Sequence, residues 1–151
     1  MAKNPRVLAE AEVLLSGWGA PAMDGAFLAA APNPRVVLYG AGSIRRVATQ
    51  ALWNRGVRIT SAYAANAVPV SEYALAAILV SLKRGWHFAF SVRREKALPG
   101  QSRVPGAYRS TMGLVSLGMV GRLVRERLRP FDLRVVAYDP YITSEEARPG
   151  R

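Results

Sequence analysis

One stretch concentrates the residue types that can hold a phosphorylated ligand. Ser116-Leu117-Gly118-Met119-Val120-Gly121 follows the apolar run Met112–Ser116, and Asp139 stands eighteen residues beyond Gly121. A glycine-rich turn between a strand and a helix lets the backbone come close to a pyrophosphate, and the positive end of the helix favours its charge. Gly118 is placed for that approach. Gly121 is placed for close packing of helix on strand. Asp139, at the end of the next strand pattern "LRVVAY", is placed to accept hydrogen bonds from ribose hydroxyls. A plainer reading makes both glycines turn residues and Asp139 the start of the turn "DPY". The strand–helix–strand setting favours the dinucleotide reading, because that fingerprint requires all of these parts in this order. Ser116 is the departure, since it occupies the place of the first glycine and predicts a wider or strained turn. The Asp139 carboxylate would repel a 2′-phosphate, and no arginine follows closely behind it, which favours NAD over NADP.

Few other side chains offer chemistry. The chain has no cysteine and a single histidine, so thiolate nucleophiles, disulfides and thiolate metal sites are excluded, and no metal site is expected. That histidine, His87, lies in "KRGWHFAF" without a carboxylate nearby in sequence, and a general acid–base needs such a partner to set its tautomer. It is read as a helix surface residue, not a catalytic one.

The elements that must position the turn alternate between strand-like and helix-like patterns, which predicts an α/β fold with parallel strands. Strands are expected at Glu12–Ser16, Arg35–Tyr39, Val57–Thr60, Met112–Ser116 and Leu133–Tyr138. Asp24 is a suitable cap for a helix over "GAFLAAA", and a second helix is expected over Ile44–Asn54, closed by Gly56. The longest helix should open near Pro69 and run to about Arg94, with protein covering both faces of its apolar first half. Behind the glycine turn, Val120, Leu123, Val124 and Leu128 share one helix face. The Pro- and Gly-rich stretch "KALPGQSRVPGAYRST" reads as a linker. The expected domains are residues 1–100, a linker at 101–110, and residues 111–151.

The 151 residues carry a net charge of +11. The basic residues are mostly arginine and are scattered without long runs, so nucleic-acid binding is not the expected role. The most apolar segment, Tyr73–Leu82, is too short for a bilayer, and Glu10 and Glu12 interrupt the N-terminal apolar stretch. A soluble cytoplasmic protein with no membrane partner is expected.

Three stretches resemble the D-isomer-specific 2-hydroxyacid dehydrogenases. "GLVSLGMVGRLVRERLRPFDLRVVAYDPY" is similar to the family's cofactor fingerprint, including the closing "DPY". "NRGVRITSAYAANAVPVSEYALAAILVSLKR" resembles the entry into its long interdomain helix, with Val70–Glu72 in place of Val-Ala-Glu, and "LYGAGSIRRVATQALWNRG" resembles the preceding glycine loop. The resemblance implies a flavodoxin-like doubly wound substrate domain followed by the start of a Rossmann NAD-binding domain. It implies hydride transfer between NAD and a small 2-hydroxy or 2-oxo acid, with Ala41 and Gly42 holding the substrate carboxylate. Gly118, Met119, Val120, Gly121 and Asp139 match the cofactor contacts, the N–H groups of Met119 and Val120 facing the pyrophosphate. It also implies a homodimer joined through the long helix. The family's working arginine, carboxylate and histidine lie later than this sequence reaches, and members begin with a further strand and helix. The expectation is therefore a fragment incomplete at both ends, with no catalytic residue of its own. Two other classes stay open: an inactive remnant that binds a partner or dimerises, and a basic nucleic-acid-binding module.

Overall fold

A computed structural model describes residues 5–97, 99–100, 104–143 and 145. Residues 101–103 of the expected linker lie outside the described residues, as do residues 1–4 and 146–151 at the ends of the expected domains. By internal contacts the chain divides into two compact units, Met1–Asn66 and Ala67–Arg151.

In the first unit, α1 (Pro5–Glu10), β1 (Val13–Ser16), α2 (Gly25–Ala30), β2 (Val36–Tyr39), α3 (Gln50–Asn54) and β3 (Arg58–Ser61) follow one another. The three strands pair in parallel in the order β1-β2-β3. Their register aligns Leu14, Val37 and Ile59 across the sheet. Val37 is fully buried there and joins Phe27 and Leu28 of α2 and Leu52 of α3 in one core, with Leu14 and Ile59 packed against it. The alternate residues point the other way, as the twofold period of a strand dictates. On that outer face Leu15 is 82 % exposed, and Val13 and Leu38 are exposed as well.

Local chemistry sets the helix ends. Asp24 adopts an extended backbone, and its Oδ1 accepts the Phe27 N–H at 2.9 Å, an N-cap as expected. Replacing Asp24 with Ala should cost about 1 kcal/mol of unit stability, read as a lower denaturant midpoint at unchanged slope. An unchanged midpoint would show that the cap contributes nothing. The second helix is shorter than the expected Ile44–Asn54. Ile44–Ala48 forms one isolated turn, and α3 starts only after Thr49, whose hydroxyl accepts the Leu52 N–H and donates to the Met23 carbonyl at 2.6 Å. That tie to Met23 holds Thr49 extended (ψ 166°), so the helix cannot run through it. Gly56 closes α3 with φ +70°, the left-handed conformation anticipated for it.

The long helix departs most from expectation. α4 spans Tyr63–Leu82 and holds Pro69 in its interior, while α5 (Gly85–Glu95) is a separate helix. Helix formation starts directly after Ala62, whose N–H is already held by the carbonyls of Tyr39 and Ala41. The break between the helices comes from Arg84, which takes a left-handed φ of 53°. A second correction concerns covering and length. Twenty residues with a mean hydropathy of 1.4 give α4 the length and composition to cross a membrane, although only 11 % of that window is buried within the chain. The ten-residue apolar segment Tyr73–Leu82 understated its length, and the described residues bury little of it beyond Ala67 and Ser71. Among the described residues, Tyr73 is 75 % exposed, and on α5 Trp86 and Phe90 are exposed too.

The second unit continues with β4 (Ser110–Val115), α6 (Met119–Leu128) and β5 (Leu133–Tyr138). β4 and β5 pair in parallel, Ser110 with Leu133 through Val115 with Tyr138. The expected amphipathic face of α6 is realised, since Val124 and Leu128 are buried. One helix covers one face only. On the other, Val115, Val136 and Tyr138 stay exposed.

Candidate cofactor-binding turn

β4 ends at Val115, and the chain then turns so sharply that Ser116 adopts φ +80°. This is the conformation a glycine enters freely and an L-residue at a cost of roughly 1–2 kcal/mol. The departure from the glycine pattern therefore leaves the turn's shape intact and places its strain in Ser116. The Ser116 N–H donates to the Tyr138 carbonyl at 2.7 Å, which ties the turn to the end of β5.

The two glycines have different reasons for being glycine. A Cβ on Gly121 would overlap the Ser116 carbonyl oxygen and stand 3.1 Å from the Ser116 carbonyl carbon, so only glycine fits there. Gly118 has an extended backbone (φ −63°, ψ −169°), and a Cβ built on it would meet nothing nearer than Ser116 Oγ at 3.7 Å. Neither backbone conformation nor internal packing demands glycine at 118. The open space there is what close approach of a ligand needs. Gly118 is the N-cap of α6 without a side-chain cap, so the first-turn N–H groups of Met119 and Val120 remain available at the positive helix end. Gly118, Met119, Val120 and Gly121 thus open α6 in one turn, and Asp139 directly follows the end of the paired strand β5.

Asp139 is bonded more extensively than the sequence implies. Its Oδ2 accepts the Leu117 N–H at 2.7 Å and the Ser116 hydroxyl at 3.3 Å, and its Oδ1 accepts the Tyr141 N–H at 2.9 Å. The backbone donors of Leu117 and Tyr141 hold its carboxyl below the usual aspartate range; desolvation opposes them, and the Ser116 hydroxyl and the nearby Arg122 guanidinium each add less. Because the folded-state pKa is depressed, this contribution to turn stability is complete above the unfolded value of about 3.9 and fades as pH falls below it through the folded value. Carboxyl titration of Asp139 by NMR should accordingly show a midpoint below that of a free aspartate. A midpoint at or above it would show that these donors do not act on the ionised form.

Arg122 is the residue that sequence reading missed. It lies on α6, ahead of Asp139 in the chain and not behind it. Its Nε–H donates to the Leu117 carbonyl at 2.8 Å, clamping the turn from the helix side. Elsewhere in this unit Arg127 pairs with Glu72 at 3.3 Å.

The other predicted loop lies in the first unit, at the C-terminal end of β2. Ala41 is buried and its carbonyl accepts the Ala62 N–H at 3.1 Å. A Cβ on Gly42 would stand 3.2 Å from Asn66 Nδ2, so the half-buried Asn66, which the sequence did not single out, borders this loop. Near it is an open, largely apolar surface depression of about 330 Å³, lined by Leu15, Ser16, Leu38, Tyr39, Gly40 and Ser61 at the carboxyl ends of the three strands. His87 is exposed on α5, its ring edge-on to Phe88 at 5.5 Å. No group of three or more His, Cys, Asp or Glu able to hold a metal occurs among the described residues.

The turn lies inside a region of the chain that matches a known family. Residues 75–150 match the family model described as D-isomer specific 2-hydroxyacid dehydrogenase, NAD binding domain, and NAD is the cofactor that this domain binds. D-3-phosphoglycerate dehydrogenase of Mycobacterium tuberculosis (strain ATCC 25618 / H37Rv) is 32 % identical over 138 residues, which are 91 % of this chain and 26 % of the relative. Hydroxypyruvate reductase of Thermotoga maritima is 25 % identical, covering 89 % of this chain and 44 % of the relative. The chain thus spans about a quarter of the phosphoglycerate dehydrogenases it matches. Among solved structures, D-lactate dehydrogenase from Aquifex aeolicus, complexed with NAD and lactic acid, superposes with a TM-score of 0.73 at 17 % identity, over 94 % of this chain and 43 % of that one. These superpositions bear out the α/β class with parallel sheets, of Rossmann-like type, read from the sequence. With half its length matched by the family model, the chain belongs to the D-isomer-specific 2-hydroxyacid dehydrogenase family.

Proposed function

We propose that this chain carries the adenosine-side part of an NAD site in an oxidoreductase that moves a hydride between NAD and a small D-2-hydroxy or 2-oxo acid. The observation that supports this most directly is the turn itself. It combines an open Gly118, unpaired first-turn N–H groups and an aspartate at the end of the neighbouring strand. When bound, NAD would supply the hydride chemistry; Met119 and Val120 would hold its pyrophosphate and Asp139 its ribose hydroxyls. Calorimetry of the chain with NAD and NADP tests the reading. NAD should bind more tightly than NADP, and Asp139→Ala should lose that preference. Equal affinity for both cofactors in the unaltered chain would overturn it.

The domain scheme belongs to the same reading. Residues 1–100 would form the substrate side, 101–110 the linker and 111–151 the cofactor side, with Ala41 and Gly42 offering N–H groups to a substrate carboxylate. The position of that loop at the carboxyl end of β2 supports the role. The reading places the protein in the cytoplasm.

Oxidation of a 2-hydroxy acid also needs a group that takes the hydroxyl proton. Among the described residues His87, exposed and without a hydrogen bond or ion pair, does not qualify. The chain alone is expected to give no turnover of small 2-oxo acids with NADH. Turnover that vanishes in His87→Ala would show that the proton donor is here after all.

A homodimer through α4 and α5 is part of this proposal. The apolar surface those helices leave exposed supports it, and so does the twenty-residue length of α4. Its test is given in the Discussion.

A further inference from the structure

A carboxylate offers about four lone-pair positions, two on each oxygen. On Asp139, Oδ2 already receives the Leu117 N–H and the Ser116 hydroxyl, and Oδ1 receives the Tyr141 N–H. One position remains. A ribose diol brings two hydroxyl donors, so full engagement of both requires one existing donor to leave. The backbone donors at 2.7 Å and 2.9 Å are fixed by the turn and by the chain after β5. The Ser116 hydroxyl, at 3.3 Å, is the longest of the three and can rotate about its own bond. Its oxygen also accepts the Gly118 N–H at 3.4 Å, a contact that does not depend on where the hydroxyl proton points.

We propose that Ser116 competes internally for Asp139, its hydroxyl occupying the carboxylate position that the second ribose hydroxyl takes when a nucleotide binds. Ser116 is then a specificity-determining residue, weakening the bonus for an intact diol over a deoxyribose. The inference rests on the cofactor reading above but concerns the residue at which this chain departs from the glycine fingerprint. A glycine at position 116 would keep the left-handed backbone without strain and present no competing donor. Two effects are thereby mixed in one substitution, and the choice of ligands separates them. Relief of backbone strain strengthens binding of every nucleotide alike. Release of the carboxylate position strengthens only ligands that carry both hydroxyls.

The experiment measures affinities of the unaltered chain and of Ser116→Gly for ADP, 2′-deoxy-ADP and 3′-deoxy-ADP by calorimetry. Ser116→Gly should tighten ADP by roughly threefold to tenfold more than it tightens the two deoxy compounds, the range set by the net worth of one hydrogen bond. Equal changes for all three ligands would overturn the competition and leave strain relief as the whole effect. Weaker ADP binding by Ser116→Gly would overturn it as well, by showing that the serine hydroxyl assists the diol. If neither protein binds ADP or NAD, the cofactor reading itself fails and the competition with it, an outcome distinct from the other two.

Discussion

Gly121→Ala should disrupt the cofactor unit, whereas Gly118→Val should leave it folded and abolish nucleotide binding. The new Cβ at position 121 would overlap a backbone carbonyl oxygen of Ser116, an atom that cannot swing aside as a side chain end would. Separating α6 from the end of β4 is the available relief, and it breaks the packing that buries Val124 and Leu128. Overpacking of this kind costs about 1–3 kcal/mol, a large share of what two paired strands and the one helix packed on them can hold. Hydrogen exchange should then quicken throughout Ser110–Tyr138 in Gly121→Ala. Gly118 presents the opposite case, since its Cβ would point into open space with Ser116 Oγ at 3.7 Å. Its exchange pattern should match that of the unaltered chain, while NAD affinity falls by more than about tenfold, as the valine methyls occupy the ground a pyrophosphate needs. Unchanged exchange in Gly121→Ala, or unchanged affinity in Gly118→Val, would show that the two glycines have been given the wrong reasons.

The second large effect concerns assembly. Trp86 and Phe90 stand one helical turn apart on α5, 55 % and 66 % exposed, and Tyr73 on α4 is 75 % exposed. Burying such an aromatic side chain is worth about 1.5–3 kcal/mol, so a handful of them supports a specific contact between copies. The chain should run as a dimer in sedimentation at micromolar concentration. Phe90→Glu should shift it to monomer, raising the dissociation constant by roughly a hundredfold or more, because a carboxylate would have to be buried in the contact. A monomer in both proteins would remove the proposed interface. Partition of the unaltered chain into neutral lipid vesicles, abolished in Tyr73→Glu, would instead make the apolar helix surface a membrane contact.

Much of this architecture was legible because short-range rules govern it. Each of the five strands appears within two residues of its expected ends, since alternation and bounding turn residues report directly on a half-buried strand. Asp24 and Gly56 acted where their backbone chemistry predicts. The helices failed where distant atoms decide. Nothing local announces that Thr49 will bond to the Met23 carbonyl 26 residues away and so delay α3. Nothing local announces that Arg84, an ordinary helix former, will take the left-handed conformation and split the long helix. The site shows the same division. The fingerprint spacing brought Gly118, Gly121 and Asp139 into view, but the three donors on the Asp139 carboxylate and the clamp from Arg122 depend on how the turn folds back. The serine in a glycine's place gave notice of strain, and the structure identifies where that strain sits.

The tie between Ser116 and Asp139 joins residues 23 positions apart, and the parallel pairing of β4 with β5 spans a similar separation throughout. Such a pairing cannot zip up from a hairpin; the whole intervening crossover must be in place before the first bond forms, and its closure entropy is spent in advance. α6, whose contacts are local, can form within microseconds, while the strand pair waits for the loop to close. During synthesis the glycine turn therefore emerges without its aspartate, and the strained Ser116 backbone has no carboxylate to hold it until β5 has been made. The proposed nucleotide site is in this sense a late event in the life of the chain. Substitutions at Asp139 should speed unfolding of the turn far more than they slow its folding.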